Sequence, residues 1–572
     1  MHHRPVTAEP QQTSTHVRGP APDALVVEVS GSWPRLEWAV TNRAPEPVAV
    51  DAVVTTFDLG PTGRYPRLFS NGYQSWSPTR AALVGIDTDP ARHPRSVDFA
   101  RFIHHADPGP VRARELRSEQ VVAIDLDDGS DPIVIGFDGG ARHGGYFAIL
   151  RDDAGHLMVE VTAWLGGAVV AGRSTRALHS VTVEQGPDVD ELLCRWADRV
   201  GAAEAARTTA PYQVGWCSWY HYFHDITEAA LRHNLARSAD WPFEVFQLDD
   251  GYQAHIGDWL HTNDKFPSDL PTLASAIADE GRVPGIWLAP FLASSDAPVF
   301  LEHPEWFARD LARPERPAIG MLHEHWGGVM WELDTTHPEV LEHLEATAAN
   351  LRAMGWSYLK LDFTFSAGVP ARFHDPTASP AERVRAGYEA IRRGAGDDAF
   401  ILGCGAPLGA VVGIVDAMRI GPDVAPSWEV GPHDSLLPGL EAVAPATRHA
   451  WNSTLLRSFM HRRLWLNDPD CIMLRQRETA LTPDQARAWA LAVGMSGGLA
   501  LVSDDLALLD DDARRVLDEV VELGRRVDAD AQRGVTPVCG DLLDRAGPSV
   551  LRAAGHVLRA DPADPVPALT TN

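Results

Sequence analysis

Residues 357 to 394 read SYLKLDFTFSAGVPARFHDPTASPAERVRAGYEAIRRG. In the first seven, Lys360 and Asp362 alternate with Leu359, Leu361 and Phe363, the two-residue period of a strand. From Pro380 onward the apolar residues fall three and four apart and the run closes on Gly394, a helix with a stop signal. The same unit recurs on both sides. Strand-like runs stand at QVGWCSWY (213 to 220), EVFQLDD (244 to 250), PGIWLAP (284 to 290), FILGCG (400 to 405), AMRIGPD (417 to 423), LWLNDPD (464 to 470) and LALVSDD (499 to 505). Helical stretches such as ITEAALRHNLARSAD, PEVLEHLEATAANLRAMG and TPDQARAWALAVGMSGG lie between them. Eight strand-then-helix units over about 290 residues are the size and order of a (β/α)8 TIM barrel, which takes residues 205 to 518.

Outside the barrel the pattern changes. Between residues 25 and 195, short alternating runs such as RLEWAVTN, VAVDAVVTTFDL and PIVIGFDGG are separated by Gly, Pro and Asp turns, and predict an N-terminal antiparallel β-sandwich. A helix-like stretch, VDELLCRWADRVGAAEAA, marks its end. Residues 1 to 24, rich in Pro, Gln and Thr, read as a mobile tail. Residues 519 to 572 read as a short C-terminal β-rich region of three strands packed on the barrel. A multidomain chain of 572 residues can bury a large core without metal or disulfide staples. Its formal net charge of −28 repels phosphate backbones and anionic lipid, so neither a nucleic acid nor a membrane is an expected partner. The five cysteines, at 194, 217, 404, 471 and 539, are odd in number and scattered, which argues against a disulfide framework or a thiolate zinc site. With no apolar leader at the N-terminus, a cytoplasmic enzyme without a cofactor is the expectation.

Catalytic groups of such barrels stand at the C-terminal ends of the strands. Asp249 and Asp250 end the second strand, Lys360 and Asp362 lie on the fourth, Cys404 on the fifth, and Arg419 and Asp423 close the sixth. Asp is also a common strand terminator and N-cap, and for Asp468, Asp470, Asp504 and Asp505 that plain reading is as good as a catalytic one. Lys360 and Asp362 differ, because two residues apart they point to the same side of a strand whose other face is apolar. A cation and a carboxylate sent into a barrel interior unpaired would be costly; an ionised nucleophile beside an ammonium is one reason for both. Asp362 and Asp423 on separate strands are the minimal pair for glycoside hydrolysis, one attacking the anomeric carbon or activating water and the other protonating the leaving oxygen. The same pair could ligate a metal, but no HxH or HExxH spacing accompanies it on the strands, and His323-Glu324-His325 lies in a long insertion spanning residues 291 to 340. Of the 18 tryptophans most should simply pack; Trp76, Trp219 and Trp287, in strand-end or turn contexts, are candidate walls for a sugar.

These residues fall into a known pattern. Gly215-Trp216-Cys217-Ser218-Trp219, Leu248-Asp249-Asp250-Gly251-Tyr252, Gly257-Asp258-Trp259, Leu359-Lys360-Leu361-Asp362-Phe363, Gly403-Cys404-Gly405, Arg419-Ile420-Gly421-Pro422-Asp423 and Asn467-Asp468-Pro469-Asp470 occur in that order. Together they resemble the α-galactosidases, or melibiases, of glycoside hydrolase family thirty-six. The resemblance implies a retaining double displacement with Asp362 as nucleophile and Asp423 as acid/base. It implies that Asp249 and Asp250 accept from the galactose 4- and 6-hydroxyls, with Lys360 and Arg419 donating to ring hydroxyls from the other side. It places Trp219 and Trp287 on the pocket wall, Cys404 near the 2-hydroxyl, and Trp76, carried by Asn71-Gly72-Tyr73-Gln74-Ser75-Trp76, over the barrel mouth from the sandwich. The expected partner is a terminal α-galactoside oligosaccharide of the melibiose or raffinose type, or an aryl α-galactoside. An α-N-acetylgalactosaminidase, a raffinose-synthase-like galactosyltransferase and an inactive carbohydrate-binding barrel are the alternatives, and a monomer or a homo-oligomer is open. The loop of His323, His325 and Trp326 should shape the site beyond the terminal sugar.

Overall fold

The computed structural model describes residues 10–62, 65–88, 106–108, 111–112, 114–431 and 444–571. Its centre is a ring of eight parallel strands, in spatial order Leu466–Asp468, Ala417–Arg419, Phe400–Gly403, Tyr358–Leu361, Val283–Leu288, Val245–Leu248, Val214–Cys217 and Ala500–Val502. The ends of that order are joined by a backbone bond from Leu499 N to Asn467 O of 2.9 Å, which nearly closes the barrel. The strands are shorter than their sequence runs. Trp219 and Tyr220, read as the end of the first strand, begin a helical turn, Trp219–Tyr222, so the polar residues after each strand are released into the mouth.

Helices follow seven of the eight strands as the periodicity predicts, but the fifth connection departs from it. Among the described residues it carries a short 3-10 turn, Leu408–Val411, in place of a full helix. The sandwich occupies that flank. Leu408 N donates to Tyr73 O at 3.1 Å, Gln74 bridges to Pro407, and Gly140 lies so close to Gly409 that a Cβ there would sit 2.5 Å from its carbonyl carbon. Gly409 and Gly413 interrupt the segment, and glycine is a weak helix former.

Among the described residues the sandwich is two antiparallel sheets, one of five strands and one of eight. Its core includes Trp38, Phe57, Ile135, Phe137, Phe147 and Val159. Burial along Arg35–Asn42 alternates as the sequence does, sending Leu36, Trp38 and Val40 inward. Residues 11 to 18, read as part of a mobile tail, are instead a strand paired antiparallel with Val48–Pro61. Their side chains are mostly exposed; the ladder holds them, and threonine-rich segments suit an edge strand.

The C-terminal region also begins later than the sequence reading placed it. Residue 519 falls inside a long helix, Asp511–Ala531, whose Leu517, Val520, Val521, Gly524 and Val527 face inward. Beyond it come four antiparallel strands rather than three, Val538–Cys539, Val550–Ala553, His556–Asp561 and Asp564–Thr571. Two buried indoles pin this sheet to the barrel: Trp428 Nε1 donates to Pro562 O and Trp451 Nε1 to Pro548 O, each at 2.8 Å. The insertion after the third strand folds as a three-stranded antiparallel sheet of Leu292–Ala293, Gly328–Glu332 and Ile319–His323. Its tip is the turn Glu324–Trp326, closed by Gly327 at φ 87°. Among the described residues no helix is long and apolar enough to cross a membrane.

One side chain locks the sandwich loop to the barrel. Arg457, fully buried, donates to Asn71 Oδ1 (2.9 Å), Gly72 O (3.2 Å) and Ser75 O (3.1 Å) on the loop and to Ile420 O (2.6 Å) on the barrel. Replacement by methionine would strand four buried acceptors, at a cost of about 3 kcal/mol or more. Arg457→Met should therefore unfold at lower urea concentration than the parent and be cleaved sooner by protease near the Asn71 loop.

Candidate active site

Eight charged side chains meet at the C-terminal mouth of the barrel. Lys360, on the fourth strand, is buried with its ammonium 2.9 Å from Asp249 Oδ2 and 3.9 Å from Asp362 Oδ2. Burial alone would strip its proton, but Asp249 and then Asp362 hold it firmly charged. Asp362 follows on the same face. Its Oδ1 accepts from Phe363 N at 2.8 Å and its Oδ2 from Trp287 Nε1 at 3.0 Å. Phe363 has φ 54°, a left-handed conformation uncommon for a large side chain, and this turn folds the Phe363 amide back onto the carboxylate. Asp362 thus takes two N–H donors and faces an ammonium.

Across the mouth, Arg419 is the organising group. Its Nε donates to Asp468 Oδ2 (2.9 Å), its Nη2 meets Asp470 Oδ1 (2.8 Å), and its Nη1 donates to Asp423 Oδ1 (3.1 Å). Asp470 is held in turn by the Tyr220 hydroxyl and by the amides of Val424 (2.9 Å) and Cys471 (2.7 Å). The Asp423 side chain is 30% exposed where that of Asp362 is 8% exposed, so it is the more open carboxylate. Desolvation, followed by the negative charge of Asp470, pushes Asp423 up to about 7 against the pull of Arg419, with Asp362 adding to the rise. One carboxylate held by N–H donors and one poised near neutrality is an arrangement that can pair a nucleophile or base with an acid.

The tandem pair lies on the same side as Lys360. Asp249 Oδ2 accepts from Lys360 and from Gln247 Nε2 (2.5 Å), and its Oδ1 from Asp250 N (2.9 Å). Asp250 Oδ1 accepts from Gln253 Nε2 (2.6 Å), while its Oδ2 takes Trp326 Nε1 (2.8 Å) and lies 3.1 Å from His224 Nδ1. Burial works to raise Asp250, but His224, Gln253 and Trp326 together hold it below the usual carboxylate value. A carboxylate oxygen has room for about two donors, so each Oδ1 keeps one lone pair for a ligand hydroxyl.

Several sequence assignments are refined. Trp287 is 1% exposed and reaches Asp362 through its N–H, so it positions the carboxylate rather than presenting a ring face. Cys404 is fully buried behind the pocket surface, and burial drives its thiol well above the ordinary value. Arg419, expected to donate to sugar hydroxyls, is first of all the brace of Asp423. Trp219 is half-buried on the lip, edge-on to His224 at 4.9 Å. Trp76 reaches the mouth from the sandwich, edge-on to Phe363 at 4.9 Å; a Cβ on Gly405 would sit 2.9 Å from its ring. Asp505 caps the turn Leu506–Leu508 as the plain reading has it, whereas Asp504 is buried and pairs with Arg475 at 2.6 Å. Asp468 and Asp470 are not mere terminators, because they carry Arg419. Tyr220, His224, Gln247 and Gln253 were missed; only Gln247, two residues before Asp249 and so on the same face, left a readable signal. The triplet His323-Glu324-His325 does not converge as metal ligands do: His323 stacks on Trp326 at 4.0 Å and His325 on His224 at 4.8 Å.

A family model described as Melibiase matches residues 204–368, the half of the barrel holding Asp249, Asp250, Lys360 and Asp362 but not Asp423. Among curated proteins, Alpha-galactosidase 1 of Pediococcus pentosaceus is 29% identical over 128 residues, 21% of this chain and 17% of that protein. An A type blood alpha-D-galactosamine galactosaminidase of Flavonifractor plautii is 28% identical over 166 residues, 27% of this chain and 15% of that protein. The matched stretches thus span less than a fifth of these relatives' lengths. In three dimensions the match extends over most of the chain. TtGalA, the alpha-galactosidase of Thermus thermophilus solved with p-nitrophenyl alpha-D-galactopyranoside, superposes with TM-score 0.67 at 26% identity over 96% of this chain and 99% of its own. The same enzyme with stachyose gives TM-score 0.66 over 87% of this chain.

The raised carboxyl has a thermodynamic signature. With Asp423 near 7 in the fold against an ordinary 3.8, the folded chain binds the extra proton, so stability is lost as pH rises through that window. Asp423→Asn removes the loss: its melting temperature should match the parent near pH 4 and exceed it increasingly up to pH 8, read by calorimetry across pH. A constant difference would assign the proton elsewhere.

Proposed function

We propose that this chain, which belongs to the melibiase family, glycoside hydrolase family thirty-six, removes terminal α-galactosyl residues by a retaining double displacement. The observation that carries the reading is the asymmetry of the two carboxylates: Asp362 fixed by Trp287, Phe363 and Lys360, and Asp423 held near neutrality beside Arg419. Asp362 attacks the anomeric carbon while Asp423 gives its proton to the departing oxygen. Water then attacks the glycosyl ester, handing its proton to Asp423 as the bond to Asp362 breaks. The open lone pairs on Asp249 and Asp250 suit the 4- and 6-hydroxyls of galactose, and an epimer that left a buried carboxylate unpaired would be rejected. That both carboxylates are in place speaks against an inert binding barrel.

Galactose is favoured over N-acetylgalactosamine by the wall at residues 404 and 405. The family pattern sets Cys404 near the 2-hydroxyl. Here its side chain is fully buried and Gly405 is overlain by Trp76, which leaves little room for an acetamido group. Melibiose- and raffinose-type oligosaccharides and aryl α-galactosides are the proposed substrates, with hydrolysis rather than transfer to sucrose as the main outcome. The five unpaired cysteines fit a reducing, cytoplasmic setting.

A panel of aryl α- and β-glycosides of galactose, N-acetylgalactosamine, glucose and arabinose should show turnover of the α-galactoside above the others; preference for the N-acetylated sugar would reverse the argument from Gly405. Asp362→Ala should lose aryl α-galactoside hydrolysis by about 10⁴-fold or more, as removal of an attacking group does. Added azide should restore a β-galactosyl azide; an α-azide, the product expected from rescue of an acid/base variant, would contradict Asp362 as the attacking group. kcat/KM should fall as pH rises through about 7 as Asp423 loses its proton. Asp470→Asn takes a like charge from beside Asp423 and should move that limb to lower pH; an upward move would contradict the assignment.

A further inference from the structure

Six rings touch in series along one lip of the barrel mouth. Trp326 stacks on His323 at 4.0 Å, His323 lies 6.0 Å from His325, His325 stacks on His224 at 4.8 Å, His224 meets Trp219 edge-on at 4.9 Å, and Trp219 meets Phe223 edge-on at 5.3 Å. The inner end is anchored in the pocket, since Trp326 and His224 both address Asp250 Oδ2. The outer end is Phe223, 40% exposed.

Two local terms oppose a phenylalanine at this place. Its backbone has φ 47° and ψ −141°, a region that large side chains avoid and glycine accepts. Its ring also stays open to water although burial would stabilise it. Strained, exposed aromatic residues beside a pocket are retained where they meet a ligand. The direction in which Phe223 extends the site follows from Tyr220. The two rings lie edge-on at 6.4 Å, and the Tyr220 hydroxyl donates to Asp470, which shares Arg419 with Asp423. The row therefore runs from the carboxylate pair that holds the terminal sugar to the acid side, where the leaving oxygen departs.

We propose that Phe223 is the platform for the sugar on the leaving-group side of the scissile bond, its ring face meeting the apolar C–H face of that hexose. The inference rests on the glycosidase reading above. It extends to the second half of the reaction. A sugar seated on Phe223 can replace water: its hydroxyl oxygen bonds to the anomeric carbon as the bond to Asp362 breaks, and its proton passes to Asp423. The platform thus sets how much glycosyl ester goes to transfer rather than hydrolysis.

The test compares the parent with Phe223→Tyr, Phe223→Ala and Phe223→Gly, the last relieving the backbone. The substrates are melibiose and raffinose against α-galactosyl fluoride, whose leaving group is too small to reach the ring. Loss of the ring face should lower kcat/KM for melibiose and raffinose about tenfold in the alanine and glycine variants, while tyrosine keeps it. The ratio of transfer to hydrolysis at high melibiose should fall with it. Fluoride turnover and competitive inhibition by galactose should stay within about twofold of the parent. Equal losses on the fluoride and in galactose inhibition would make the ring structural and overturn the platform, as would unchanged melibiose kinetics in both small variants. A parent inert on all three substrates would refute the glycosidase reading itself, and the platform with it.

Discussion

Two cations with almost no access to water set the positions of everything else at the barrel mouth. Lys360 and Arg419 can be buried only where carboxylates meet them, and between them they fix Asp249 and Asp362 on one side and Asp423, Asp468 and Asp470 on the other. The excess of five carboxylates over two cations is itself useful. Like charges confined together cannot all ionise freely, so one of them must hold its proton near neutrality. Asp423 is pushed up in this setting, as is Asp470, and Asp423 is the more open of Asp423 and Asp362. The rise at Asp423 comes first from burial and then from the negative charge of Asp470, with Arg419 opposing it.

The site is nevertheless not the barrel's alone. Trp76 comes from the sandwich and closes over Gly405 and Phe363, and Arg457 holds its loop by the backbone. Arg457 also donates to Ile420 O, three residues before Asp423. One side chain therefore couples the placement of the sandwich's tryptophan to the strand end carrying the proposed acid. The insertion contributes from the third connection, where Trp326 fills part of the acceptor capacity of Asp250.

The strands and most of the helices were legible because their signals are local: alternation in Tyr358–Leu361, three- and four-residue spacing from Pro380 to Gly394. Lys360 and Asp362 were legible for the same reason, two polar residues on one face of an apolar strand. What sequence could not carry was partnership across strands. Arg419 and Asp468 lie 49 positions apart, and nothing in the run LNDPD distinguishes a carboxylate that holds an arginine from one that caps a turn, as Asp505 does. The hydrogen bond from Trp287 to Asp362 was hidden likewise, since an indole's composition says wall or core and only geometry says donor. Composition misled at residues 11 to 18, where polarity read as disorder while backbone pairing supplied the order. At residues 408 to 411 the expected helix gave way to docking that no single segment encodes.

That fifth connection bears on what counts as a unit of inheritance and of engineering in this chain. Leu408, Ala410, Val411 and Val412 are buried on the flank where a helix would otherwise stand. A barrel excised at the linker would keep the helix Pro380–Ala395 against this segment but lose its contacts with Tyr73, Gln74 and Gly140. The sequence divides cleanly into modules, but the modules are not interchangeable parts: swapping the sandwich for that of a distant relative would require matching the contour around Gly140 and Gly409 as well as the loop that bears Trp76.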